Sequence, residues 1–292
     1  MRISDSMRLD LVTRSIAKQQ GRVAEAERQA SSGARVGRPS DDPVAAAQAA
    51  RVQAALDRTS ACSTTVSRVR GDVAGSESAL AEATTVLGDA QDLAMRGANG
   101  SLSASDRTLM VSQVTSLRDQ LLALANSKGA RGFLFGGTRT GAPPFDAAGV
   151  YQGDDAHPSV EVCPGLEAQV GVTGARAFTA AGGTDVFAVL DALGKALAAN
   201  DQPAIASSVN ALDSCSRQIV AARGDAGVQM ARLDSADAAN QAGELALASQ
   251  RHDLVDADPA GAYTRLAAAQ QALTAAVSVA QTTLQTLGRS TG

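Results

Sequence analysis

Apolar residues near both ends of the chain recur at alternating steps of three and four, the spacing of one face of an α-helix. The N-terminal stripe consists of Leu9, Val12, Ile16, Gln19, Val23, Ala26 and Ala30. The C-terminal stripe consists of Tyr263, Leu266, Gln270, Leu273, Val277, Ala280, Leu284 and Leu287. Each stripe is narrow, which suits one partner helix and is too thin to close a core alone. The pattern predicts two terminal helices that pair with each other or with neighbouring copies.

A second, much longer helix is predicted between these ends, because the same spacing continues without a break from Val52 to Ala94. Gly33 predicts the end of the first helix, since glycine readily takes the left-handed conformation of a helix stop. Asp42 before Pro43 predicts the next start, where a carboxylate accepts hydrogen bonds from free amides and proline suits the first position. Asp41 adds a negative charge near that start.

Further helices are predicted along the rest of the chain. Ser103 and Asp106 have the spacing of a capping-box variant and predict a third helix that ends between 126 and 132. Helical patterns return at 185–200 and from about 203 toward 250. The segment 256–259 is an interruption, where Asp-Pro again predicts a helix start before the terminal stripe.

The segment 133–183 differs from its surroundings, because it holds five of the seven aromatic residues together with Gly-Gly and Pro-Pro pairs. Alternating runs at 159–163 and 167–173 predict two strands joined at Pro164-Gly165. The predicted fold class is therefore mainly α: a long antiparallel helical bundle or coiled coil formed by the N- and C-terminal segments, with a small β-rich insertion in the middle. We predict three domains: a terminal coiled-coil assembly domain (1–42 with 256–292), a helical rod domain (43–132 with 184–255) and the insertion (133–183).

Composition supports a helical architecture and excludes several classes of function. Aromatic residues make up only 2% of the 292 residues, there is no Trp, and much of the apolar content is alanine, which favours closely packed helices. The net charge is −4 and no Lys/Arg block is present, so we expect no nucleic-acid partner. No run approaches the ~18 apolar residues of a membrane span, so we expect no membrane insertion. The N-terminal segment has no uninterrupted apolar core, so we expect that, if the protein is exported, no signal peptide is cleaved from it.

The chain offers little material for catalysis or metal binding. Cys62, Cys163 and Cys215 are odd in number and form no CxxC motif, so we expect neither a zinc site nor a disulfide framework. Instead, Cys62 and Cys215 are expected to be small buried hydrophobic residues. His252 lies near three aspartates, but charged residues gather at helix breaks for capping, so we predict no metal site there. With no nucleophile motif or cofactor fingerprint, we expect neither an enzyme nor a cofactor.

Two motifs carry a resemblance to a known family. The first is the helix break, Ser-Gly followed by basic residues and Pro-Ser-Asp-Asp-Pro: Ser32, Gly33, Arg38, Pro39, Ser40, Asp41, Asp42 and Pro43. The second is Phe-Leu-Phe-Gly-Gly, of which Phe133, Phe135, Gly136 and Gly137 are the motif residues, followed by Pro144-Phe145 and Tyr151-Gln-Gly-Asp154. Together with the paired terminal stripes, these motifs resemble the bacterial flagellin superfamily over essentially the full length, and within it the branch of hook–filament junction proteins.

The resemblance implies a structural component of the flagellum that joins hook to filament, is exported unfolded by type III export and works outside the cell. Its implied partners are copies of itself in a ring, a neighbouring hook-associated protein, flagellin, and an export chaperone at the C-terminal helix. The implied assembly interface consists of Leu9, Val12, Ile16, Val23, Tyr263, Leu266, Leu273, Val277, Leu284 and Leu287. The chain departs from the family in having three cysteines, which flagellar subunits generally avoid.

Two alternatives remain open from the sequence. A flagellin filament subunit would have the same fold and export route, but the Pro-Ser-Asp-Asp-Pro and Phe-Leu-Phe-Gly-Gly segments favour the junction branch. A coiled-coil adaptor protein would also suit long alanine-rich helices, but it would not need the aromatic, glycine-rich insertion.

Overall fold

The computed structural model describes residues 5–290, and the side chains of that range except those of residues 5, 6, 9 and 287–290. The predicted side chains of Leu9 and Leu287 therefore lie outside the described residues. Within 5–290 the helices are α1 (Asp5–Ser32), α2 (Pro43–Gly97), α3 (Ala104–Ala125), α4 (Gly174–Phe178), α5 (Val186–Ala198), α6 (Gln202–Val255) and α7 (Pro259–Ser290). The strands are β1 (Lys128–Gly129), β2 (Gly132–Phe133), β3 (Ser159–Cys163) and β4 (Leu166–Gln169).

The predicted fold class, mainly α with a small β insertion, is confirmed. The helix boundaries follow the local signals: α2 begins at Pro43 after Asp42, and α7 begins at Pro259 after Asp258. The Ser103 side chain accepts from the Asp106 amide while the Asp106 carboxylate accepts from the Ser103 amide, which is the predicted capping box of α3. Two antiparallel hairpins, β1–β2 and β3–β4, make up the strands of the described residues.

The chain divides into two compact units, one formed by 1–58 with 243–292 and the other by 59–242. The three-domain division stays a prediction. Of the two units, we call residues 1–58 with 243–292 the terminal unit. In it α1 packs against α7, and the end of α1 lies beside the start of α7 because the Gly33 carbonyl accepts from the Ala257 amide at 2.8 Å. The two terminal helices are therefore antiparallel.

The second unit, residues 59–242, has a large apolar core. It joins α2 to α3, α5 and α6 through fully or almost fully buried Val73, Leu80, Leu87, Leu121, Leu190, Leu193, Ile205, Leu212 and Ile219. An aromatic cluster of Phe135, Phe145, Phe178 and Phe187 completes the core where the hairpins meet the helices. Arg223 pairs with Glu77 at 2.7 Å, and Arg70 with Asp234 at 3.0 Å, which links α6 to α2 at the surface of this unit.

The structure corrects one local expectation and adds elements that the sequence pattern did not predict. The second predicted strand is shorter, since β4 ends at Gln169 instead of continuing to Thr173. Thr173 caps the short helix α4, which the sequence pattern did not predict, by accepting from the Arg176 amide. Strands β1 and β2 were also missed, because two-residue strands are too short to show alternation.

The expectation for the cysteines was wrong in one respect. Cys62 is buried, as expected, but it forms a disulfide with Cys163. The residues are 101 positions apart, and only the packing of β3 against α2 brings them together. Cys215 is a free, buried thiol, as predicted, and burial raises its pKa to about 12, with the Asp185 carboxylate adding to the effect.

Candidate assembly interface

The two helix breaks of the terminal unit are joined by main-chain hydrogen bonds. The Val255 carbonyl at the end of α6 accepts from the amides of Arg35 at 2.7 Å and Val36 at 3.1 Å. The Gly33 carbonyl accepts from Ala257 across the same junction. Gly33 has a φ of +68°, the left-handed conformation predicted for a helix stop. The Ser-Gly segment thus holds the end of α1 beside the start of α7.

Arg35 strengthens this junction with its side chain. The guanidinium donates to the Leu254 carbonyl at 2.6 Å and to the Asp42 carboxylate at 3.2 Å. Sequence reasoning singled out Arg38 as the basic residue of the motif and missed Arg35. The side chain of Arg38 is exposed. Arg35 stands out only once the end of α6 is known to lie beside it, because its principal acceptor is 219 residues away.

Asp42 caps α2 as predicted. One carboxylate oxygen accepts from the Ala45 amide at 3.0 Å, and the other accepts from Arg35. The hydrogen bond from Ala45 and then the one from Arg35 hold the pKa of Asp42 below its ordinary value of 3.8. Asp42 therefore connects the start of α2 to the junction between the helix breaks.

Asp41 stabilises the turn before the helix rather than the helix end. Its carboxylate accepts from the amides of Gly37 at 3.1 Å and Arg38 at 2.8 Å, and its own amide donates to the Arg38 carbonyl. Pro39 and Ser40 lie at the exposed tip of this turn. Ser32 closes the end of α1, where its hydroxyl donates to the Arg28 carbonyl and accepts from the Ala34 amide.

We expect Asp42→Ala to lower the midpoint of thermal unfolding at neutral pH by about 2–4 °C, because the substitution removes the cap of α2. Asp42→Asn is the matched control, since an amide oxygen can still accept from Ala45, and its midpoint should stay within about 1 °C of the wild type. Circular dichroism against temperature measures both. Equal losses in the two variants would contradict a capping role.

The cap should also respond to acid. Because the folded-state pKa of Asp42 is lowered, the stabilising contribution of its charge is complete above 3.8 and is lost as the pH falls through the folded-state pKa. We therefore expect the difference between the midpoints of wild type and Asp42→Ala to shrink as the pH falls below about 3.8. A difference that widens on acidification would contradict this assignment.

The acidic group around His252 also serves a helix start. The two Asp258 carboxylate oxygens accept from the amides of Ala260 and Gly261, so Asp258 caps α7 as Asp42 caps α2. His252 Nδ1 lies 2.6 Å from the Asp256 carboxylate. Among the side chains that the structure describes, His, Cys, Asp and Glu form no group of three or more able to hold a metal ion.

The N-terminal stripe lies where the sequence predicts. Val12, Ile16 and Val23 are half-buried on α1, and Ala26 is 7% exposed. Gln19 is half-buried in the same row, and its Oε1 is buried with no hydrogen-bond partner in the described part of the chain.

The inward-facing residues of α7 coincide with the predicted stripe at positions 266, 273 and 280. At the steps between them, the inward-facing residue lies one position before the predicted one. Leu266 and Leu273 are half-buried and Ala280 is 6% exposed, as predicted. The other inner positions are alanines and one threonine: Ala262, Ala269, Ala276 and Thr283. Tyr263, Val277 and Leu284 of the predicted stripe do not share this inner face, since they are 63%, 37% and 53% exposed. Their place in an assembly interface stays a prediction.

These exposed residues form a second stripe on α7. Tyr263, Gln270, Val277 and Leu284 are spaced seven residues apart, the repeat of a coiled-coil position, and all four are exposed. We call them the outer stripe. A row of three large apolar side chains at this repeat has the geometry to receive a further helix.

The second motif, Phe-Leu-Phe-Gly-Gly, stabilises the fold and does not form a contact surface. Phe135 is completely buried and packs edge-to-face on Phe178, with ring centroids 5.3 Å apart. Phe133 is only half-buried, with the Lys128 ammonium 4.7 Å from its ring centroid. The hydroxyl of Tyr151 lies 3.0 Å from the Phe135 carbonyl and 2.7 Å from the Asp154 carbonyl, to which it can donate. Burial raises the pKa of Tyr151 to about 12, and the nearby carboxylates add to this, so it stays a neutral donor.

The Gly-Gly pair permits a close approach of two loops. Gly137 has a φ of +66°, and a side chain there would collide with the Asp154 backbone. The amide of Thr138 donates to the Asp154 carboxylate at 2.8 Å, and the Thr138 hydroxyl also contacts it. Gly136 contributes its carbonyl, which accepts from the Asp154 amide.

Comparison with known proteins agrees with these features. The model of the bacterial flagellin N-terminal helical region matches residues 3–139. Flagellar hook-associated protein 3 of Escherichia coli (strain K12) is 31% identical over 285 residues, which is 88% of this chain and 89% of the relative. A flagellar hook-associated protein from Vibrio parahaemolyticus has the same fold, with a TM-score of 0.69, 24% identity, and coverage of 74% of this chain and 100% of that one.

A third similarity is to the flagellar junction protein FlgL from Legionella pneumophila, whose structure aligns with a TM-score of 0.60 at 15% identity, over 71% of this chain and 99% of that one. The matched N-terminal region and the shared fold define a flagellin-like structural protein. Because it is 31% identical to such a protein over 88% of its length, the chain belongs to the flagellar hook-associated protein 3 family. Among the helices of residues 5–290, none combines the length and apolar character needed to span a bilayer.

Proposed function

We propose that this chain is a structural subunit joining the flagellar hook to the filament, and that the terminal unit carries its assembly interface. The observation that carries the proposal is the outer stripe of α7, which leaves Tyr263, Val277 and Leu284 uncovered in the single chain. Neighbouring copies would cover it with their own terminal helices, in a ring. Membership of the hook-associated protein 3 family supports this function.

The terminal unit is poorly stabilised on its own. Its buried apolar side chains are small, namely Ala26, Val36, Ala45, Val52, Ala257, Ala262 and Ala280 among the described residues. No leucine, isoleucine or aromatic ring of this unit is fully buried in that range. Since helices gain most of their stability from packing, α1 and α7 should be completed by contacts with other subunits.

The remaining partners belong to the same proposal. A neighbouring hook-associated protein and flagellin would contact the ring on its two sides, and an export chaperone would cover the apolar stripe of α7 before assembly. The subunit would be exported unfolded, without loss of a leader, and act outside the cell. Its role is structural, not enzymatic.

The test places charge on the outer stripe without disturbing the inner face. We expect the double variant Val277→Glu, Leu284→Glu to be exported by cells lacking the wild-type copy but to leave them non-motile, with flagellin released into the medium. Both side chains are exposed, so the helix itself should tolerate glutamate, whereas a helix–helix contact should not. Swimming in soft agar and immunoblots of the culture supernatant measure motility, export and released flagellin.

Gln281→Glu, Gln285→Glu is the matched control, because it adds the same charge at exposed positions of the same helix. This control should restore swimming as well as the wild type does. Normal swimming of the Val277→Glu, Leu284→Glu cells would refute the interface. Failure of the wild-type chain itself to restore motility would refute the proposed function.

A further inference from the structure

Cys62 and Cys163 connect two elements that are distant in sequence. Cys62 lies on α2 and is 9% exposed, while Cys163 is the half-buried last residue of β3. Their Cα atoms are 5.0 Å apart, inside the range of 4.4–6.8 Å typical of disulfides. Asn240 of α6 lies 3.7 Å from the Cys163 sulfur, so the bond sits where the hairpin meets both long helices.

The hairpin β3–β4 needs such an attachment. It has only two strands, and an isolated two-stranded hairpin is marginally stable in water. Val162 anchors it with a side chain that is 3% exposed, whereas Leu166 at its turn is 45% exposed. A covalent link at Cys163, beside the turn, restrains the end of the hairpin that apolar packing leaves uncovered.

We propose that the Cys62–Cys163 bond is a redox clasp that closes only after the chain has left the cell and then locks the hairpin onto α2. The timing rests on the proposed export of the unfolded chain. A bond between residues 101 positions apart closes the intervening segment into a loop, so an unfolded chain that carried it could not be exported as a single extended strand. Both cysteines must therefore remain thiols during export.

The closing chemistry needs an oxidant, for which we name a low-molecular-weight disulfide, RSSR. The thiolate of Cys163, the more exposed of the two, attacks RSSR to form a mixed disulfide and releases RS⁻. The thiolate of Cys62 then attacks the Cys163 sulfur and releases the second RS⁻. Two thiol protons pass to the released thiolates, so two cysteines are oxidised and one RSSR is reduced to two RSH.

The clasp itself can be tested on purified protein. Cys62→Ser, Cys163→Ser and the double variant should each lower the midpoint of thermal unfolding by about 5–15 °C, and by equal amounts, because losing either sulfur removes the whole bond. Reduced wild type should match them. The clasp would be overturned if the decreases in midpoint of the two single variants added up in the double variant. It would also be overturned if a reductant left the midpoint of the wild type unchanged.

Cys215 provides the internal control. It is buried in α6 and forms no bond in the described structure, so Cys215→Ala should keep the full shift of midpoint on reduction. Without denaturant, iodoacetamide should label neither Cys215 nor the oxidised pair, and after reduction it should label Cys163 first. Peptide mapping by mass spectrometry under non-reducing conditions identifies the bond directly, and a spectrum without the cross-linked peptide would overturn the proposal.

The timing is tested by trapping thiols in growing cells with a membrane-permeant maleimide. We expect both cysteines to be modified in the intracellular chain and neither in chain recovered from the medium or from detached flagella. Extracellular chain with free thiols at both positions would overturn the clasp and leave the proposed function intact. Absence of the chain outside the cell would instead refute the proposed function, while the in vitro measurements would still decide whether the bond locks the hairpin.

Discussion

Phe135→Ala should lower the free energy of unfolding by about 3–5 kcal/mol, the usual cost of removing a buried aromatic ring from a packed core. Phe135 is completely buried, and its ring contacts Phe178, which in turn packs on Phe145 at 5.7 Å between centroids. The alanine variant would leave a cavity in the middle of this cluster. Urea unfolding followed by circular dichroism measures the change.

Phe133→Ala is the matched control from the same motif. Its ring is half-buried and has the Lys128 ammonium 4.7 Å from its centroid, so its removal should cost only about 1 kcal/mol. Similar losses in the two variants would show that the aromatic cluster is not the main source of stability in residues 59–242. A much larger loss for Phe135→Ala would confirm that the Phe-Leu-Phe-Gly-Gly motif acts through the core.

Arg107→Met should lower the free energy of unfolding by about 3 kcal/mol, since it removes the hydrogen bonds of a buried guanidinium to three main-chain carbonyls, one of them on the buried residue Gly97. Arg107 is 2% exposed and donates to the carbonyls of Gly97 at 2.8 Å, Asn99 at 2.7 Å and Leu102 at 3.1 Å. It also contacts the side chain of Asn200. The negative end of the α2 dipole and these carbonyls therefore stabilise the buried charge. Chemical denaturation measures the loss.

The control for Arg107 is Arg96→Met, a basic residue in the last turn of the same helix. Arg96 is exposed, so its interaction with the helix dipole is screened by water and should be worth less than about 1 kcal/mol. If both variants lost the same stability, general charge at the end of α2 would matter and the specific hydrogen bonds of Arg107 would not.

Local signals predicted most helix boundaries because their physical causes are local. Asp42, Ser103 and Asp258 each accept hydrogen bonds from amides two or three residues later, so the neighbouring sequence contains all that the cap requires. The alternation at 159–163 likewise predicted β3. The first four residues of this strand alternate between more and less exposed positions.

The features that sequence reasoning missed depend on residues far apart. Arg107 contacts the side chain of Asn200, which lies 93 positions further along the chain. Arg35 donates to the Leu254 carbonyl 219 positions away, and Cys62 bonds to Cys163 101 positions away. The inner face of α7 could not be read from the pattern alone for a related reason: which side of an alanine-rich helix packs inward depends on the partner helix, as the burial of Ala262 illustrates.

The hydrogen bonds between the helix breaks impose a rule on the lengths of the terminal segments. Because Ala257 is held to Gly33 and Val255 to Arg35, α1 and α7 begin their pairing from one fixed point. Deleting a single residue of α7 would rotate all that follows by about 100°, turning Val277 and Leu284 away from the direction set by Tyr263. Among proteins of this family, insertions and deletions in either terminal helix should therefore have lengths that are multiples of seven residues. Insertions and deletions of other lengths should be tolerated mainly in the loops of residues 59–242.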